Sequence, residues 1–188
     1  MTTARPVAEL PERHPDAPAP GEPIGSHYHR CFGCGEDHRT GLHMHVTAGA
    51  GLTIDAKFTV TEDHQGAPGL AHGGLLTAAF DEALGSLAWL LRKPMVTGRL
   101  ETDFLRPVPV GTTLYIHAHA DKIVGRKIHT RAEGRLGDPS GQLAVRAAAI
   151  FVTVPIEHFV RHGRAEDVAA AVSRPDIREA AKTFEVNP

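Results

Sequence analysis

Cysteine is scarce: Cys31 and Cys34 are the only two in 188 residues. No disulfide framework can staple this chain, and a cytosolic location is the expectation. Charge of neither sign is in excess. Lys and Arg number 20 against 22 Asp and Glu, a formal charge of −2, which leaves no electrostatic footprint for nucleic acid. No apolar run approaches the roughly 20 residues that span a bilayer, so no membrane partner is expected. The N-terminal stretch carries Arg5, Glu9, Glu12 and Arg13 without a hydrophobic segment, so no signal peptide is expected either. Internal repeats are missing. What is present suits one domain with a substantial core and appended ends.

Proline and glycine divide the chain. Residues 1–26 hold six of the 14 prolines and read as a disordered or draped arm. Residues 27–158 carry the ordered pattern. Residues 159–188 form a helical extension, with Ala165 to Val172 and Asp176 to Phe184 read as short surface helices. Within the central region Gly41 to Thr47 and Leu52 to Val60 alternate apolar and polar, the period of half-buried strands. Met95 to Leu105, Thr113 to Ile123, Arg126 to Leu136 and Gln142 to Val154 are four further strands, separated by Pro107–Gly111, Val124–Gly125 and Gly137–Gly141.

Between the two sets lies His72-Gly73-Gly74-Leu75-Leu76-Thr77-Ala78-Ala79-Phe80-Asp81-Glu82-Ala83-Leu84-Gly85, the start of a helix that runs to about Arg92. Two glycines at a helix N-terminus let a ligand atom approach bare N–H groups where the dipole favours negative charge. An acid two turns further on is costly in so apolar a helix unless it is paired or useful. Such a helix needs a large wrapper, and a curved sheet is the expected one. The fold class is α+β, with an antiparallel five- to six-stranded sheet around one long central helix.

This layout resembles the hotdog-fold acyl-CoA thioesterases, closest to the phenylacetate-pathway type. The resemblance spans Cys31 to Phe159. It is carried by His72-Gly73-Gly74 with Asp81 nine positions after the histidine, Cys31-Phe32-Gly33-Cys34-Gly35 before Gly41-Leu42, His64-Gln65-Gly66-Ala67-Pro68-Gly69, Phe104 to Gly111, and Gly125-Arg126-Lys127. It implies thioester hydrolysis, with Asp81 as general base or nucleophile, Thr97 orienting that carboxylate, the Gly73 N–H as oxyanion donor and His72 holding the turn or the carbonyl. Gly74 supplies a neighbouring N–H. Relatives often carry an Asn at the position of Gly66, so His64 or Gln65 is expected to replace its amide. Arg126, Lys127 and Ile128, with Asp103 and Leu105, match positions that line coenzyme A. Phe80, with Leu84 and Trp89, is expected to shape the acyl pocket, and Glu82 is the reserve acid.

Coenzyme A is expected only as part of the substrate, with no separate cofactor. Cys31-x-x-Cys34 with His27, His29 and His38 looks like half a zinc site, but no second cysteine pair exists and the histidines are scattered, so no metal is expected. The resemblance also implies a homo-oligomer, dimer or tetramer, with sites shared between subunits. A non-catalytic acyl-CoA sensor or scaffold of the same fold is the second functional class, one that would not require Asp81. A hydratase or dehydratase of this fold expects a His/Asp dyad in another motif.

Overall fold

The computed structural model describes residues 8–173 and Pro175. The chain runs β1 (Ala8–Glu9), β2 (Pro23–Ile24), β3 (His45–Ala48), β4 (Thr53–Thr59), β5 (Gln65–Ala67), β6 (Leu70–Ala71), α1 (Gly73–Gly85), α2 (Leu87–Leu91), β7 (Met95–Phe104), β8 (Thr113–Val124), β9 (Lys127–Leu136), β10 (Leu143–Thr153), α3 (Glu157–His162) and α4 (Ala165–Ser173). The main sheet has the order β2-β3-β4-β8-β9-β10-β7, with β1 on the free end of β8. Six long strands thus carry the sheet, as the alternation indicates, and two two-residue strands extend it. Every pairing is antiparallel.

The sheet curls around α1 because one face of each strand is apolar and the helix is apolar nearly all round. Ile54, Ala56 and Phe58 of β4, Leu114 and Ile116 of β8, Ile128 and Ala132 of β9, and Ala147, Ala149 and Phe151 of β10 point inward. They meet Leu76, Ala79, Phe80, Ala83 and Leu84 of α1 in one core. Gly73–Leu91 is a 19-residue run with the length and hydropathy of a membrane span, longer in this respect than the composition suggests. Leu76, Phe80, Leu84, Leu87 and Leu90 on it are nevertheless enclosed by this chain's own sheet. This is the hotdog arrangement.

Phe80 belongs to this core and corrects an expectation. It is fully buried, with its ring lying across β9 where Gly134 has no side chain. A Cβ at Gly134 would sit 2.7 Å from Phe80 Cζ. Phe80 therefore seats the helix on the sheet and does not line an acyl pocket. Ile128, also fully buried, cannot touch coenzyme A. Gly134→Ala should cost about 1–3 kcal/mol, because the ring has nowhere to retreat. Thermal unfolding should show a midpoint lowered by roughly 2–10 °C; an unchanged midpoint would mean that the helix can lift away from β9.

Within the described residues 8–26, the arm is tied to the domain at several points. Arg13 donates to the carbonyls of Gly49 and Gly51 at 2.7 and 2.8 Å, the His14 N–H bonds Leu90 O at 2.9 Å, and Pro23–Ile24 pairs with Val46 and Thr47. Gly41 to Met44 is a loop, not the start of a strand: His43 has φ 47°, and the N–H groups of Leu42 and Met44 bond to Phe32 and Gly33. The expected helix over Asp176 to Phe184 lies outside the described residues.

Candidate active site

The start of α1 is fixed before the site is formed. The N–H groups of Ala71 and His72 bond to the carbonyls of Val108 and His64, each at 2.9 Å. His72 is the N-cap, and its Nδ1 accepts the Gly74 N–H at 3.0 Å. That acceptance leaves the proton of a neutral ring on Nε2, facing outward as a donor. It also removes Gly74 from the expected oxyanion donors, since its N–H is already committed. The Gly73 N–H has no partner within this chain among the described residues. The Phe104 ring lies over Gly73, 3.4 Å from where a Cβ would be, leaving a bare amide beneath an exposed aromatic.

The preceding loop does not supply a second side-chain donor. His64 is buried, and its Nδ1 accepts the Thr61 N–H at 3.0 Å, so it closes the short turn over Glu62–His64 and does not reach substrate. Gln65 spends its amide inside the loop, with Oε1 accepting from Gly69 at 2.7 Å and Nε2 donating to Glu62 O at 3.1 Å. Gly66 is dictated by contact: a Cβ there would lie 2.7 Å from His72 Cα. An Asn here would require His72 and the loop to shift apart.

Two turns along α1 stands Asp81. The Thr97 hydroxyl donates to Asp81 Oδ1 at 2.7 Å. The approach depends on an irregularity in β7. Phe151 of β10 pairs with Thr97 and Ile150 pairs with Arg99, so Gly98 is the extra residue of a bulge. Without it, Thr97 would face away from the helix while Leu100, Thr102 and Phe104 faced toward it. Bulges that re-aim one side chain recur beside active sites.

Glu82 follows Asp81 but projects about 100° further round the helix. It is no reserve acid for this site. Its Oε2 accepts the Cys31 thiol at 3.4 Å, and its Oε1 lies 3.7 Å from His27 Nδ1. Burial pushes its carboxyl up to about 7. In the same cluster a hydrogen bond with Cys34 lowers the Cys31 thiol below its usual range, while this bond and burial push Cys34 up. Burial works against charge on His27, but the Cys31 hydrogen bond and the Glu82 charge leave its imidazole raised. The sequence offered no sign of this partnership, since Cys31 and Glu82 are 51 residues apart.

The expected coenzyme A contacts divide. Across the sheet the register runs Thr97, Phe151, Ile128, Ile123. The exposed Arg126–Lys127 turn is therefore at the same end as Thr97, about 10 Å away laterally at two strand spacings. Leu105 is exposed just beyond β7. Asp103 faces the opposite way from Phe104 and lines an open groove of about 1490 Å³ on the outer face of the sheet, with His45, Lys57, His117 and Arg146. That groove contains neither Gly73 nor Asp81, so Asp103 stands apart from the Asp81–Thr97 pair.

Known proteins resemble this chain over the region that carries these residues. The thioesterase superfamily model matches residues 68–141, a span that includes Gly73, Asp81 and Thr97. A Pseudomonas aeruginosa protein described as an esterase, PA0474, is 34% identical over 95 residues, covering 49% of this chain and 69% of its own. Acyl-coenzyme A thioesterase THEM4 of Xenopus laevis is 34% identical over 88 residues, 47% of this chain and 39% of that protein, so the chain spans about two fifths of this relative's length. A crystal structure of a thioesterase superfamily protein superposes with a TM-score of 0.61 at 25% identity, over 73% of this chain and 70% of that one. With the helix, its glycine-opened N-terminus and the Asp81–Thr97 pair all inside the shared region, the chain belongs to the thioesterase superfamily.

Proposed function

We propose that the protein hydrolyses an acyl-CoA thioester to the free acid and coenzyme A. The observation that carries this is the 2.7 Å Thr97–Asp81 hydrogen bond on a helix otherwise devoted to the core. It orients a carboxylate that packing alone does not need. As general base, Asp81 takes a proton from water as the water attacks the thioester carbon. The carbonyl oxygen becomes an oxyanion against a backbone N–H, and collapse releases the thiolate of coenzyme A, which regains the proton. As nucleophile, Asp81 instead attacks the thioester carbon and displaces the coenzyme A thiolate, leaving an acyl anhydride that water opens to the free acid and the regenerated carboxylate, with the released proton going to the thiolate.

The two halves of this chemistry come from different protomers. Gly73 and Asp81 are eight residues apart in α1, about 12 Å along the axis, too far to meet one carbonyl. The helix runs antiparallel to β7, with Gly73 under Phe104 and Asp81 beside Thr97. Among the described residues nothing pairs with the outer edge of β7, an exposed edge of the kind that proteins cover. Joining two such edges antiparallel about a twofold axis near Leu100 and Glu101 brings the partner's Gly73 beside Asp81. The reading is thus a homodimer with two shared sites, whether or not dimers pair further into tetramers.

Purified protein assayed against short, medium, long and aromatic acyl-CoAs should release thiol from at least one class. No release from any of them would overturn the reading. Arg126 and Lys127 are proposed to attract the phosphates of coenzyme A. Arg126→Ala with Lys127→Ala should raise KM about threefold to tenfold at low ionic strength, with the difference shrinking as salt rises. An acyl-cysteamine, which lacks phosphate, should be indifferent to the change. Equal sensitivity of both substrates would remove these residues from the coenzyme A contact.

A further inference from the structure

The segment Cys31-Phe32-Gly33-Cys34-Gly35 plays no part in the chemistry above, yet it is tied to the central helix through polar atoms. His27 Nδ1, Cys31 Sγ, Cys34 Sγ and one Glu82 carboxylate oxygen all lie within 4.8 Å of one another. Among the close approaches are 3.4 Å from Cys34 Sγ to His27 Nδ1, 3.4 Å from Cys31 Sγ to Glu82 Oε2, and 3.7 Å from His27 Nδ1 to the other carboxylate oxygen, Glu82 Oε1. Ligands held tetrahedrally at zinc bond lengths lie about 3.3–3.8 Å from each other. We infer that His27, Cys31, Cys34 and Glu82 form a four-ligand site for a tetrahedral divalent transition-metal ion of the zinc class, clamping the 27–35 segment onto α1.

The surrounding backbone is shaped for this. The Cys34 amide donates to the Cys31 sulfur, and the Gly35 N–H bonds Cys31 O at 2.9 Å, which folds the two cysteines into a tight turn with both sulfurs on one side. A Cβ at Gly35 would lie 2.5 Å from three backbone atoms of that turn, and one at Gly33 would lie 2.5 Å from Glu82 Oε2. Both glycines are therefore explained by the close approach of the turn to itself and to the carboxylate. A carboxyl and two thiols, each partly buried, crowded against an exposed imidazole repel one another in their deprotonated forms unless a cation balances the charge. Four protein ligands leave no open position, so the ion is structural and does not act on substrate. The site lies about 100° around the helix from Asp81, and its failure or success is independent of the hydrolase reading.

The test uses untagged, full-length, reduced protein made in zinc-supplemented cells. Elemental analysis should find about one zinc per chain, and Cys31→Ser with Cys34→Ser should reduce this to under about a tenth. Cobalt replacing zinc in the wild type should show the intense visible bands of tetrahedral coordination with sulfur-to-cobalt charge transfer. Glu82→Gln should alter those bands and speed metal loss to a chelator by about tenfold or more. Should the double variant fail to fold, the wild-type cobalt spectrum decides, together with protection of two thiols from a thiol reagent until metal is stripped. Under a tenth of a zinc per chain with no cobalt–thiolate absorption would overturn the inference. So would metal content unchanged by loss of both cysteines.

Discussion

Asp81→Asn should lower kcat by about 10² to 10⁴ while leaving the unfolding transition in place. Asparagine keeps the shape of the side chain and can still accept from Thr97, so the helix has no reason to move. What it loses is the ability to take a proton or attack a carbonyl. Thr97→Ala should cost less, about tenfold, because it frees the carboxylate to rotate without removing it. The double variant should be nearly as active as Asp81→Asn alone, since the hydroxyl has nothing to orient once the base is gone. Stopped or steady-state thiol release on one acyl-CoA measures all three. Independent, additive losses would mean that Thr97 serves the reaction by another route, and a fully active Asp81→Asn would dismiss the assigned base.

Gly73→Pro should be nearly as damaging, with a loss of about 10² to 10³ in kcat, because it deletes one oxyanion donor and little else. The geometry makes proline an unusually clean probe here. Gly73 is the first residue of α1, where proline is tolerated because that N–H has no helical acceptor. His72 before it has φ −70° and ψ 131°, the extended conformation that a following proline requires. The added Cβ would meet only the exposed Phe104 ring, at 3.4 Å. Gly73→Ala, which keeps the N–H, is the control and should retain most activity. Equal losses in both variants would point to crowding of the acyl group, not to a missing donor.

Much of this architecture was legible in the sequence because it rests on periodicity and punctuation. The alternation through Ile54, Ala56 and Phe58 marks β4, and the glycines after His72 mark the start of α1. Asp81 and Thr97 could be paired only through their family positions; the reason they touch, a bulge at Gly98 that turns Thr97 inward, leaves no trace in local pattern. Other expectations failed for reasons of packing and hydrogen-bond competition. Phe80 and Ile128 are large apolar residues that the core claims first. Gly74 and His64 look available as donors or ligands until His72 and Thr61 are seen to occupy them. Glu82 was read beside Asp81 on one helix, whereas its partners lie some fifty residues back in the chain, where only the tertiary fold brings them together.

The shared site is the claim on which the account turns, and mixing two dead variants tests it most directly. Asp81→Asn and Gly73→Pro would be combined in equal amounts under conditions where subunit exchange is shown by mass or fluorescence. If each site joins the Gly73 of one protomer to the Asp81 of the other, half of the dimers are mixed and each of those has one intact site. Activity should then return to about a quarter of wild type. Proven exchange with no recovery above either parent would place both groups of each site within one chain, and would contradict the dimeric mechanism.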